Sequence, residues 1–112
     1  MNKIYNSEIS LNNYSFNRYE TLPRFVTYWH QLNLVLHENP SSVLEVGKGT
    51  GLVSGYLSTL VEDVLTIDVN ESLKPDIVSD LFSIEAELGG STYDVVLCAR
   101  VLHHIPFDRF YE

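Results

Sequence analysis

The stretch Val43-Leu44-Glu45-Val46-Gly47-Lys48-Gly49-Thr50-Gly51 constrains the fold of this chain more than any other. A short apolar run ends in three glycines at alternate positions. Leu52, Val53, Tyr56, Leu57 and Leu60 then recur at helical spacing. Glycines here let the backbone turn sharply and come close to a ligand, because no Cβ intervenes. The turn also aims the free N–H groups of the following segment at whatever binds there. A strand, a glycine loop and a helix are therefore predicted in that order, with Gly55 permitting a close approach of the helix to a neighbouring strand.

The rest of the chain extends this unit. A helix is predicted from Pro23, which is tolerated in a first turn, with Phe25, Trp29, Leu32, Val35 and Leu36 as its apolar stripe and Asn39-Pro40 as its stop. Trp29 and its neighbours read as core. Val64-Leu65-Thr66-Ile67 is a second strand ending at Asp68, and Asp76-Ile77-Val78-Ser79 a third ending at Asp80. Gly89-Gly90 breaks a helical segment between Leu81 and Leu88. Tyr93-Asp94-Val95-Val96-Leu97-Cys98 is the clearest strand, with Asp94 starting it and anchoring a turn, and Pro106 opens a further helix. Apolar runs alternating with helical segments are the pattern of a parallel, doubly wound sheet. Residues 1–22, rich in Asn, Ser and Tyr, lack a sustained period. Tyr14, Phe16 and Tyr19 around Arg18 suggest an arm or lid, or a tail lying over the domain, which leaves 23–112 as one domain.

Charge narrows the partners. Fifteen acidic residues against seven Lys and Arg give a net charge of −8, and the seven basic positions are scattered along the chain. Such a surface repels a phosphate backbone, so no nucleic-acid partner is expected, and a small molecule fits better. Cys98 is the single cysteine, so no disulfide can form within the chain, consistent with a reducing compartment. The N-terminus lacks the apolar core of a signal peptide, and no stretch has the roughly 20 apolar residues of a membrane helix. A cytoplasmic protein without a membrane partner is the expectation.

Asp68 follows Gly47 by about twenty residues, the spacing of the acid that holds a ribose hydroxyl in nucleotide-binding folds of this kind. The competing role for Asp68 is to cap the turn Val69-Asn70-Glu71. Two cofactors compete for the glycine loop. A dinucleotide site usually reads G-x-G-x-x-G, whereas here the pattern is G-x-G-x-G with Leu52 following Gly51 and Glu45 preceding on the strand. Glu45 would repel a pyrophosphate and suits an ammonium group, which favours S-adenosylmethionine over NAD.

The stretch Val43–Gly51 resembles the first motif of class I S-adenosylmethionine-dependent methyltransferases. Thr66-Ile67-Asp68-Val69 resembles their second strand with its ribose-binding acid. Ile77-Val78-Ser79-Asp80-Leu81 is similar to their third-strand motif, and Tyr93–Cys98 followed by Ala99-Arg100-Val101-Leu102-His103-His104-Ile105-Pro106 to the fourth-strand motif of the small-molecule methyltransferases. The resemblance covers residues 42–106, with four motifs in order.

That resemblance implies an α/β, Rossmann-like three-layer α/β/α sandwich, incomplete, with about four parallel strands where the family has seven. Glu45, Gly47, Gly49 and Gly51 would hold the methionine end of S-adenosylmethionine, Asp68 the ribose, and Asp80 with Leu81 the adenine. The implied activity is methyl transfer to a small-molecule acceptor. The alternatives are a non-catalytic or inactive fragment and, more weakly, an NAD-dependent oxidoreductase. His103 stands where the family often has Glu. His103 and His104 are candidates for a general base or for a solvated turn, so the catalytic residues stay unassigned. No histidine spacing matches a metal site, and Cys98 reads as a buried thiol rather than a nucleophile. With no fifth strand before Glu112, the chain is expected to be part of a longer protein, or to expose its fourth strand to self-association.

Overall fold

The computed structural model describes Arg18 and residues 20–109. The arm or lid expected over residues 1–22 therefore lies largely outside the described residues, Tyr14, Phe16 and Tyr19 included. Among the described residues the chain forms α1 (Leu22–His37), β1 (Ser42–Val46), α2 (Leu52–Leu57), β2 (Asp63–Asp68), β3 (Ile77–Val78), α3 (Ile84–Leu88) and β4 (Val95–Cys98). Short 3₁₀ turns occupy Glu71–Leu73, Leu102–His104 and Phe107–Arg109, the last in place of the helix predicted at Pro106.

The four strands make one parallel sheet in the order β3-β2-β1-β4. β1 is central. It pairs with β2 from Ser42 opposite Asp63 to Val46 opposite Ile67, and with β4 from Val43 opposite Val95 to Val46 opposite Cys98. Alternation then sorts its side chains. Val43 joins Tyr28, Val35, Val53, Leu57 and Val61 under α1 and α2. Leu44 and Val46 join Ile67 on the opposite face, against Leu81, Ile84 and Leu88 around α3. Both faces of β1 are covered, as a central parallel strand requires. This is the expected Rossmann-like three-layer architecture, with four parallel strands among the described residues.

Three sequence expectations change. Trp29 is 62% exposed and Phe25 44%, so the buried stripe of α1 runs instead through Tyr28, Leu32, Val35 and Leu36. Tyr28 tolerates burial because its hydroxyl donates to Glu20 Oε1 at 2.9 Å. Leu60 also leaves the core: α2 ends at Leu57, the chain bends, and the N–H of Val61 returns to the Leu57 carbonyl, placing Val61 inside. A Cβ built at Gly55 meets nothing within 4 Å, so this glycine does not mediate a close approach.

The reason lies in the link between β2 and β3. Parallel neighbours usually need a crossover of a dozen or more residues, commonly helical. Here residues 69–76 make the connection with a single 3₁₀ turn. No helix from this link covers β2 beside α2. An open polar cavity of about 310 Å³ is left there, lined by Ser54, Gly55, Ser58, Thr66 and Asp76 among others.

Candidate functional site

The carboxyl ends of β1, β2 and β4 meet at the glycine loop, the usual place for ligands in open α/β sheets. The ladder continues one residue past β1, with Gly47 N–H donating to the Ile67 carbonyl at 2.7 Å. The chain then turns through Gly47, Gly49 and Gly51, with φ of 85°, 59° and 88°. Two of these glycines have distinct physical reasons. A Cβ on Gly47 would collide with the Val101 side chain, which follows β4, so Gly47 lets these two segments close on each other. A Cβ on Gly49 would meet nothing within 4 Å. Its left-handed backbone faces open space, as expected of a loop shaped for a ligand.

Asp68 ends β2 and serves both neighbours. Its Oδ1 accepts from Asn70 N–H at 2.9 Å, and its Oδ2 lies 3.4 Å from the Gly49 amide nitrogen. The turn-capping role weighed from the sequence is thus real, and it coexists with contact to the glycine loop. A carboxylate offers about four lone-pair sites, so these two bonds leave acceptor capacity for a ribose.

Glu45 lies on the same face of the sheet and is only 4% exposed. Burial, and then the nearby charge of Asp68, push its carboxyl up to about 8; Lys48 and a hydrogen bond with Ser54 pull the other way. Its Oε1 is buried without a hydrogen-bond partner. Such a group is costly and calls for an explanation. A cationic ligand group supplies one, because it would stabilise the carboxylate form.

Asp80 and Leu81 follow β3. Asp80 Oδ1 accepts from Phe82 N–H at 2.9 Å and Ser83 N–H at 2.8 Å, which orders the turn into α3, and Leu81 packs on the second core cluster. After β4, Arg100 takes a left-handed φ of 60° and the chain enters the turn Leu102–His104. The rings of His103 and His104 lie 3.7 Å apart. Burial, His103 and Arg100 lower the pKa of His104 and favour its neutral form. Cys98 is half-buried, and burial raises its thiol pKa, as for an inert thiol. Among the described residues no three His, Cys, Asp or Glu side chains are grouped to hold a metal, and no helix is long and apolar enough to cross a membrane.

Sequence reasoning missed two participants. Glu20, just before α1, accepts from both Tyr28 and the Thr50 hydroxyl of the glycine loop, at 2.9 Å each. Lys48, within the loop, donates from Nζ to the Leu73 and Lys74 carbonyls, at 3.0 Å each. Lys48 was visible as a charged residue between two glycines; nothing near Glu20 in the sequence marked it.

The parallel sheet with its glycine loop fits a class I S-adenosylmethionine-dependent methyltransferase-like domain. The profile of the methyltransferase domain family matches residues 44–112, more than half of the chain, and the chain belongs to that family. No curated protein and no solved structure matches it.

Proposed function

We propose that this domain binds S-adenosylmethionine and serves methyl transfer to a small-molecule acceptor. The observation that carries the reading is the buried carboxyl of Glu45, with an unpartnered oxygen beside the glycine loop. Family membership supports it, since such domains normally use this cofactor. When bound, the cofactor supplies an electrophilic methyl group on a sulfonium. The residues present fit it: Glu45 would take the ammonium end, the Gly47, Gly49 and Gly51 backbone would approach the methionine portion, Asp68 would accept from the ribose hydroxyls, and Asp80 with Leu81 would border the adenine. Positioning of donor and acceptor then provides much of the rate. No side chain is assigned as a general base.

Glu45 also discriminates between cofactors. With its pKa near 8 it is mostly protonated at neutral pH before ligand arrives. An ammonium group draws it to the carboxylate and releases a proton; a pyrophosphate favours the protonated state. Calorimetric titrations with S-adenosylhomocysteine and with NADH, each from pH 6 to 8, test the reading. S-adenosylhomocysteine should bind saturably and more tightly as pH rises. Preference for NADH, with affinity falling as pH rises, would point to an oxidoreductase. A folded chain binding neither ligand would leave a non-catalytic fragment.

A further inference from the structure

We propose that Lys48 is a positioning residue of the cofactor site, tying the turn after β2 to the glycine loop so that Asp68 is held against Gly49. The inference rests on the S-adenosylmethionine reading of that site.

The Lys48 ammonium donates to two successive carbonyls, Leu73 O and Lys74 O, at 3.0 Å each. These close the 3₁₀ turn Glu71–Leu73, whose C-cap Lys74 is left-handed at φ 52°. Carbonyls at the end of a helical turn lack partners within it, and Lys48 supplies one. The route of the side chain is specific. A Cβ on Gly51 would sit 3.0 Å from Lys48 Cε, so the lysine stem crosses the loop where only glycine leaves ordinary room.

The fold explains why a clamp is needed here. Residues 69–76 contain no α-helix that could pack this link onto the sheet, and β3 pairs with β2 through two residue pairs only. The link is otherwise held at its end by Asp76, bonded to Thr66, and at its start, near the site, by Asp68 through Asn70 at 2.9 Å and the longer 3.4 Å contact to Gly49. Lys48 spans the same gap from the loop side. Two ties from opposite directions fix the separation between the backbone that would receive the methionine end and the acid that would receive the ribose.

The test is a double-mutant cycle of Lys48→Met and Asp68→Asn, read as S-adenosylhomocysteine affinity, with amide hydrogen exchange on the same proteins. If Lys48 acts through Asp68, Lys48→Met weakens binding about tenfold in the wild-type chain and less than threefold beside Asp68→Asn, because coupled residues are not additive. Exchange at the Leu73 and Lys74 amides should quicken in Lys48→Met, and Lys48→Arg should restore both readouts. Unchanged affinity in Lys48→Met, or losses that simply multiply in the double variant, would overturn the positioning role. If Lys48→Met does not fold, Lys48→Gln takes its place in the cycle. A wild-type chain that binds no S-adenosylhomocysteine removes the cofactor reading and the positioning role together. Hydrogen exchange then still reports whether the clamp itself exists.

Discussion

Asp68 Oδ2 lies 3.4 Å from the Gly49 amide while Oδ1 of the same carboxylate holds Asn70 N–H at 2.9 Å, so one acid joins the end of β2 to the loop after β1. Substitution should therefore affect both ligand and fold. Asp68→Ala is expected to weaken S-adenosylhomocysteine binding at least tenfold and to destabilise the domain by roughly 1.5–3 kcal/mol, the range for hydrogen bonds to a charged group. Calorimetry and urea denaturation measure the two effects separately. Native affinity in the variant would remove Asp68 from the ligand site.

Glu45 sets a pH dependence with a definite sign. Its folded pKa of about 8 lies above the ordinary 4.5, so the folded state holds a proton that the unfolded state gives up. The contribution is fully favourable below pH 4.5 and is lost as pH rises towards 8. Glu45→Gln, neutral at every pH, should be more stable than wild type by roughly 3 kcal/mol at pH 7 and should show a flatter stability profile over this window. The same variant should bind S-adenosylhomocysteine poorly. Thermal denaturation between pH 5 and 8 checks the first part. Parallel profiles for the two proteins would contradict it.

Gly47 and Gly49 should fail differently when replaced by alanine. Both have positive φ, which costs an L-residue about 1–2 kcal/mol, but only Gly47 has a side chain in the way, that of Val101. Gly47→Ala is expected to lower stability by more than Gly49→Ala. Gly49→Ala should keep its fold and lose cofactor affinity, because its methyl group enters space reserved for ligand. Melting curves and calorimetry on the pair decide this; equal melting temperatures would refute the steric account.

Asp94 provides a contrast away from the site. Its carboxylate accepts from Ser41 N–H at 2.8 Å and its own N–H donates to Ser42 Oγ at 2.9 Å, fastening the start of β4 to the start of β1. Asp94→Ala should lower stability by roughly 1–2 kcal/mol and leave S-adenosylhomocysteine affinity within twofold. A larger loss of affinity would show that strand starts and ligand loop are coupled.

Period and punctuation explain how much could be read before the fold was seen. The run at Val43 is apolar because a central parallel strand buries both faces, and Pro40 and Gly89 stop helices through local sterics that need no tertiary context. The glycine loop and Asp68 were legible because their spacing follows from one strand–loop–helix–strand unit. Trp29 was misplaced because Phe25, Trp29 and Leu32 also match a helical period, and only the sheet decides which stripe faces inward. Tyr28 was overlooked because its burial depends on an acid eight positions earlier. The Lys48 clamp depends on a crossover without a helix, which no local pattern announced.

The pairing of Thr66 with Asp76 has a consequence for how this sheet can meet other chains. Asp76 Oδ2 accepts both the backbone N–H and the hydroxyl of Thr66, at 2.8 and 3.0 Å, while the Asp76 N–H returns to Thr66 Oγ1 at 3.0 Å. A side chain thus occupies a backbone donor that would otherwise await a strand, and β3 beyond it offers only two residues as a template. That border is sealed by chemistry and by brevity. On the opposite border, β4 pairs only with β1 among the described residues, and Val96 is 58% exposed. The two borders of the sheet therefore differ among the described residues: β3 is short and backed by a side-chain lock, whereas β4 is longer and carries an exposed valine.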